Sequence, residues 1–578
     1  MSHRTPSLTA TATSLALFGL TLNAQAAAPI ASEAPAINDL ARASQTQQLQ
    51  QQRLDAETNS GELANTLTPG GDLKQTFDIG HLPAESPCFP ISEVRLVDSP
   101  FDWLDAKAQK AAGQCIGTQG LKLVLRELGN ELIDRGYITS RVTLPEQSLA
   151  SGVLTLNIAP GKVADIRTEG DGIGTLGAAL PSHQGALLNQ RDVDQALENI
   201  RRLSSQSGAR FAIMPGSEAG DSDIVLTPDT GKRWQGVVGY DNAGQKATGK
   251  NEVFAALVVD SPFHLYDQLQ LFGLTNADRG ASGHGTDQVA AGYSVPFGYG
   301  MLSLDASRAS YEQTVRASVG PVQYTGDQKN FGAKLSAVVQ RNAHSRTELR
   351  VRAFRSMAAN AINAQPTDIQ NRDVYGYELG ASHRRYVGRA QINASLGWRE
   401  TLPGLSRNPG YAVGPGFSGR EQIETANLSV LAPFRIGKQP FSYRFGWAAQ
   451  NARTPVNAQD YFTIGTRYSV RGFDQQSTLS AESGWAVSNE LDWYAPTRIG
   501  TQSVYVGADV GRVRGPTAPF LAGDTLVGAV VGVRGTLAPA NRFVGGVDFD
   551  VSLGWPLYKP KAYPNKSPTV LVQMSIRI

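Results

Sequence analysis

From Trp234 to the end, the chain is written in segments of about ten residues that alternate apolar with polar or small side chains. In "GGVDFDVSLGW", Val547, Phe549, Val551, Leu553 and Trp555 share one parity, while Asp548, Asp550, Ser552 and Gly554 share the other. The final "VLVQMSIRI" sets Val570, Val572, Met574, Ile576 and Ile578 against Gln573, Ser575 and Arg577. A period of two sends successive side chains to opposite faces of a strand. No stretch of this region reads as a long helix. In a bilayer, strands satisfy their backbone polar groups only by closing into a barrel. A soluble sandwich would bury the apolar parity, but it gives no reason for that parity to end repeatedly in Trp, Tyr or Phe, as interfacial girdles do. Segment by segment, 234–578 predicts a transmembrane β-barrel of about sixteen antiparallel strands.

The beginning of the chain supplies the address. His3 and Arg4 precede a short apolar run, Leu15 to Leu22, and the small-x-small pattern Ala24-Gln25-Ala26. That order predicts a secretory signal peptide over 1–26; the apolar run is too short to span a bilayer as a helix. The net charge of +2 gives no reason to expect nucleic acid as a partner. Cys88 and Cys115 are the two cysteines of the chain. An oxidising compartment predicts a disulfide between them. Its closed loop would stabilise a small domain by about 3–4 kcal/mol in the chain-entropy model. Two cysteines alone do not complete a zinc site.

Between these ends lie four regions. Residues 36–57, rich in Ala, Gln and Leu, fit either a helix with a broken apolar stripe or a disordered segment. Residues 58–86 carry Gly, Thr, Pro and Asn without periodicity and read as a linker. Residues 87–160 and 161–228 read as two small α+β modules in tandem, each with a strand, a helix and two further strands. In the first, Leu121, Leu125, Leu128 and Leu132 recur at helical spacing. In the second, Val193, Leu197, Ile200 and Leu203 form one helical face, with Asn189 as its N-cap.

One loop in the barrel region stands out. "YSVRGFDQ", within a long connection over 453–481, puts Arg471 between Val470 and the pair Gly472-Phe473. If the loop folds into the lumen, its guanidinium needs a carboxylate. In "SVYVGADVGRV" the lipid parity falls on Val504, Val506, Ala508 and Val510, which sends Asp509 inward between Gly507 and Gly511. The two glycines leave room at the wall for a bulky group, and a guanidinium meets a carboxylate bidentately. Arg471 and Asp509 are therefore the candidate latch. Glu348, Arg350 and Arg352 share the lumen parity in "TELRVRAF".

These motifs resemble a known family, the outer-membrane transporters of two-partner secretion, over nearly the whole chain. "VRGF" at 470–473 resembles the family's loop signature and "GADVG" at 507–511 its G-x-D-x-G strand. "CFPI", "GYITSRV" with "PEQSL", and "NQRDVDQALENIRRL" with "MPG" resemble its two periplasmic POTRA modules, and "YDNAGQKATG" at 240–249 the opening of its barrel. The resemblance implies a plug helix at 36–57 resting in the pore and a periplasmic tether at 58–86. It implies a secreted exoprotein partner (adhesin, haemolysin or contact-dependent toxin), with Leu197 and Ile200 on a module surface that receives it. Outer-membrane lipid and, during biogenesis, the barrel-assembly machinery complete the expected partners. No phosphate loop, catalytic triad or histidine cluster is present, so neither an enzyme, a cofactor nor a metal is expected. A barrel-assembly insertase and a passive porin are the competing readings: the first usually carries more than two POTRA modules, and the second needs none. The chain departs from the pattern in ending on Ile578 and not on an aromatic residue, which bears on assembly recognition.

Overall fold

The computed structural model describes residues 78–278, 283–317, 320–497, 500–537 and 546–578. The expected signal peptide at 1–26, the helix at 36–57 and the linker up to residue 77 lie outside the described residues.

The first module is a three-stranded sheet with helices on one side. Glu93–Val97 pairs in parallel with Val153–Ala159, which pairs antiparallel with Arg141–Thr143. The helices Asp102–Ala108 and Thr118–Asp134 cover the sheet. The longer one buries Val124, Leu128 and Leu132, with Leu121 and Leu125 at the margin of the stripe. Cys88 and Cys115 form a disulfide, with Pro90 facing Cys115 in a short two-stranded ladder.

The linker reading fails at its last residues. Ile79 is buried in the core of this module, and Glu85 caps its long helix. The Glu85 carboxylate accepts hydrogen bonds from the backbone N–H groups of Gly117 (2.9 Å), Gln119 (2.8 Å) and Gly120 (2.6 Å). These bonds, that from Gly120 first, hold its carboxyl below the ordinary glutamate range. A segment without periodicity can still dock when single side chains carry the contact.

The second module repeats the plan. Asp221–Thr227 lies between Lys162–Thr168, in parallel, and Arg210–Pro215, antiparallel. The helix Gln190–Arg201 starts at Asn189, whose side-chain oxygen accepts from the Arg191 N–H at 2.9 Å. Leu197 and Ile200, expected on a partner-receiving surface, are 1% and 0% exposed. They pack against Leu188, Phe211 and Ile224 in the module's core, so they form no docking surface. An amphipathic stripe marks the side a helix buries, and here the sheet buries it.

From Trp234 the described residues form a closed antiparallel barrel of sixteen strands, with a two-residue strand, Gln365–Pro366, added in one extracellular hairpin. Strand lengths run from 8 residues in Trp234–Asp241 to 22 in Gly320–Arg341. The barrel closes where Gln573–Arg577 pairs with Val237–Asp241, and Ile578 exchanges backbone hydrogen bonds with Gly236 at the same seam. Outward parities expose Val506, Val551, Leu553 and Trp555; inward ones carry Asp509, Ser552 and Glu490. No helix among the described residues is long and apolar enough to cross a membrane. The modules precede the first strand and dock at its starting end, the rim that the expected periplasmic placement of the modules makes periplasmic.

Candidate functional site

Residues 453–482 join the strands Gln439–Ala452 and Ser483–Pro496, and the connection folds back into the barrel. Within it Phe462–Ile464 pairs with Leu479–Ala481 as a small hairpin. The tip beyond this hairpin is packed: Val470 and Phe473 are buried with Ile464, Leu526, Val513 and Tyr563.

The tip brings Arg471 to the wall. Its Nε and Nη2 donate to the two oxygens of Asp509 at 2.7 and 2.9 Å, and its backbone N–H donates to the same carboxylate at 2.9 Å. Nη1 donates to Glu490, and Nη2 reaches the Asn489 carbonyl at 3.4 Å. Glu490 faces Gly507 on the neighbouring strand, one lumen position from Asp509. It also accepts from Arg534, whose guanidinium lies 3.8 Å over the Tyr505 ring. Two cations, Arg471 and Arg534, and two carboxylates in a lumen pocket satisfy one another, which is the condition for a buried ion pair to hold.

Glycines set the approach. A Cβ on Gly507 would sit 2.7 Å from an Arg471 guanidinium nitrogen, and one on Gly511 would sit 2.8 Å from Val470. Gly528 and Gly554 complete the recess: a Cβ on the first would collide with the Arg471 carbonyl oxygen, and one on the second would lie 2.7 Å from the Gly472 Cα. Gly472 has φ of +102°, a conformation that side-chain-bearing residues rarely adopt. The motif therefore needs its own glycine and a channel of glycines opposite. Sequence parity pointed to Asp509, Gly507 and Gly511. It missed Glu490, Gly528 and Gly554, because only strand register places them beside the tip.

The periplasmic rim carries a second polar constellation. Glu198, on the helix of the second module, is paired with both Arg341 and Arg346 of the barrel. Asn199 donates to the Gly298 carbonyl at 2.7 Å, Tyr299 to Asp192 at 2.8 Å, and Arg202 to the Tyr266 carbonyl at 2.6 Å. Burial raises the Asp192 carboxyl above its ordinary range, against the opposing hydrogen bond from Tyr299. Leu197 and Ile200 face the module core while the polar positions of the same helix hold the barrel. Inside the lumen, Arg352 is bound by Asp305 at 2.8 Å and Glu378 at 3.2 Å, and Glu348 pairs with Arg346. No group of residues suited to hold a metal ion occurs among the described residues.

Fold and site together define an outer-membrane barrel with tandem POTRA modules and an internally anchored loop. The family of haemolysin secretion/activation proteins ShlB/FhaC/HecB matches residues 220–535, the ShlB-type POTRA domain matches 89–161, and a second POTRA model matches 162–209. The outer membrane transporter CdiB-2 of Burkholderia pseudomallei (strain 1026b) is 35% identical over 96% of this chain and 97% of its own length. The hemolysin transporter protein ShlB of Serratia marcescens is 28% identical over 93% and 91%. Among solved structures, CdiB from Acinetobacter baumannii covers 94% of this chain and 98% of its own, at a TM-score of 0.79 and 26% identity. The chain belongs to the ShlB/FhaC/HecB family. It is an outer-membrane protein transporter of two-partner secretion, with its POTRA modules in the periplasm.

Proposed function

We propose that the transporter receives one large unfolded exoprotein of the adhesin, haemolysin or contact-dependent toxin class and passes it outward as an extended chain. Tandem modules joined by buried ion pairs to the rim of a barrel whose lumen holds a pinned loop carry this reading. Residues 1–26 direct export. The partner adds extended segments to module edges, main chain to main chain. Arg141–Thr143 and Arg210–Pro215 each pair on one side within their sheets, and Met214 on the latter is exposed. Val470, Arg471, Gly472 and Phe473, with Gly507, Asp509 and Gly511, act as the latch of the loop. Folding of the partner outside biases the movement outward, with no cofactor and no covalent step, and the barrel-assembly machinery inserts the transporter itself.

Mass spectrometry of culture medium and outer membranes, with and without the gene, tests this. Loss of one very large protein from the medium with the membrane profile intact is expected. A broad loss of barrel proteins from the membrane would instead make the chain an insertase.

A further inference from the structure

The loop is tied to the barrel at a second place, with the charges inverted. Asp460 lies eight residues beyond the strand Gln439–Ala452, on the descending limb of the loop. Its carboxylate accepts from Arg372 at 2.6 Å through one oxygen and from Arg399 through the other. Arg372 begins the strand Arg372–Val387, and Arg399 is two residues from the end of Ala390–Thr401, so both stand at the extracellular mouth. Arg372 also donates to Glu421, whose other oxygen accepts from the Asn457 N–H at 2.8 Å. The Arg372 side chain is 0% exposed. Val456 and Tyr461 bury themselves against Ile423 beside this cluster. Backbone ties add to it: Gln450 donates to the Asp460 carbonyl at 2.6 Å, and Asn457 donates to the Tyr411 carbonyl at 3.0 Å.

The two attachments lie on different strand pairs of the barrel, with Gln422–Ile436 and Gln439–Ala452 between them. Asp460 is held by strands that begin at Arg372 and Ala390, whereas Arg471 is held by the strands Ser483–Pro496 and Gly500–Arg514. Asp509 lies five residues inward from the extracellular end of its strand, roughly 16 Å along the strand at the usual rise per residue. The loop thus enters at the mouth beside the first pair and reaches down along the second. Ten residues separate the two charged side chains, so the place where Asp460 is held restricts where Arg471 can reach.

We infer that Asp460 is a positioning residue of the transporter: its grip by Arg372 and Arg399 fixes the entry of the loop into the lumen and thereby presents Arg471 to Asp509. This rests on the reading of the Arg471 tip as a latch. Inverted polarity favours one placement of the loop over the exchanged one. Exchanging the attachments would bring the loop's carboxylate towards Asp509 and Glu490 and its arginine towards Arg372 and Arg399, which disfavours the exchange.

The test is labelling of Ser469→Cys, at the buried tip, by a membrane-impermeant maleimide applied to intact cells that carry the full-length protein. The native cysteines are paired and silent. The tip should be protected in the otherwise native chain and exposed by Arg471→Ala. Asp460→Asn should raise the labelling rate several-fold, and Asp460→Glu should restore protection, with heat-modifiable barrel migration unchanged throughout. Should Asp460→Asn fail to reach the membrane, Arg399→Gln removes one of the two grips from the wall side and should give an intermediate rate. Exposure by Arg471→Ala with full protection in Asp460→Asn, or in Arg399→Gln where that variant stands in, overturns the positioning role alone. Protection in Arg471→Ala overturns the latch reading itself. Exposure in Asp460→Asn would then show a loop held at its base and would overturn the proposal as stated.

Discussion

The two attachments of the internal loop solve one problem with opposite charges and unequal reserves. At the tip, an arginine of the loop meets two wall carboxylates; at the base, a carboxylate of the loop meets two wall arginines. The base wall brings carboxylates of its own. Arg372 keeps Glu421, and Arg399 keeps Glu378 at 3.6 Å, even with the loop removed. At the tip, Glu490 keeps Arg534, but among the described residues Asp509 is ion-paired with Arg471 alone. Breaking a buried pair from one side is costly chiefly because of the charge left behind. The tip is therefore the attachment whose loss strands a charge, and the base is the one that tolerates it.

This asymmetry orders the expected effects. Arg471→Ala should be the most severe, about 3–5 kcal/mol against the docked loop, seen as loss of exoprotein from the medium with barrel assembly retained by heat-modifiable migration. Asp509→Asn should restore part of the local stability in the Arg471→Ala background, because the stranded charge goes. Failure of that double variant to exceed the single one in thermal unfolding would remove the asymmetry. Asp460→Asn should fall at or below about 3 kcal/mol, since its wall remains paired; a loss equal to that of Arg471→Ala in the same unfolding series would make the attachments equivalent. Gly528→Ala should act on the tip without touching any charge. The added methyl meets a backbone carbonyl, and overpacking of this kind costs about 1–3 kcal/mol. It should raise tip exposure and leave hydrogen exchange at the Asn457–Tyr461 base unchanged.

A last effect, smaller still, lies far from either attachment and serves as their control. The Glu85 carboxyl is held below the ordinary glutamate range, so the unfolded chain takes up its proton at higher pH than the folded chain does. The cap's contribution is complete above the ordinary value and is lost as pH falls through the depressed one. Amide exchange at Gln119 and Gly120, corrected for intrinsic rate, should accelerate in that acidic window. Glu85→Gln should remove the pH dependence without affecting the loop.

The separation between what could be read and what could not follows from where each residue stands. A period of two determined the barrel, because strands in a bilayer admit no other closure, and it assigned Asp509 to the lumen from its own neighbours. Helical spacing likewise determined the paired modules and the Asn189 cap. That spacing does not distinguish a core from a groove, since both need the same stripe, and only packing puts Leu197 and Ile200 in the core. Ile79 and Glu85 stand in an aperiodic stretch that docks through single side chains and a few backbone bonds to Gln114. Glu490, Gly528 and Gly554 reach Arg471 only through the register of separate strands, and Asp460 reaches Arg372 and Arg399 only because an irregular loop crosses the mouth. Sequence by itself determined which face each strand residue takes, since that depends on its immediate neighbours. Tertiary structure decided which charges meet, since register and loop path depend on contacts between segments far apart in the chain.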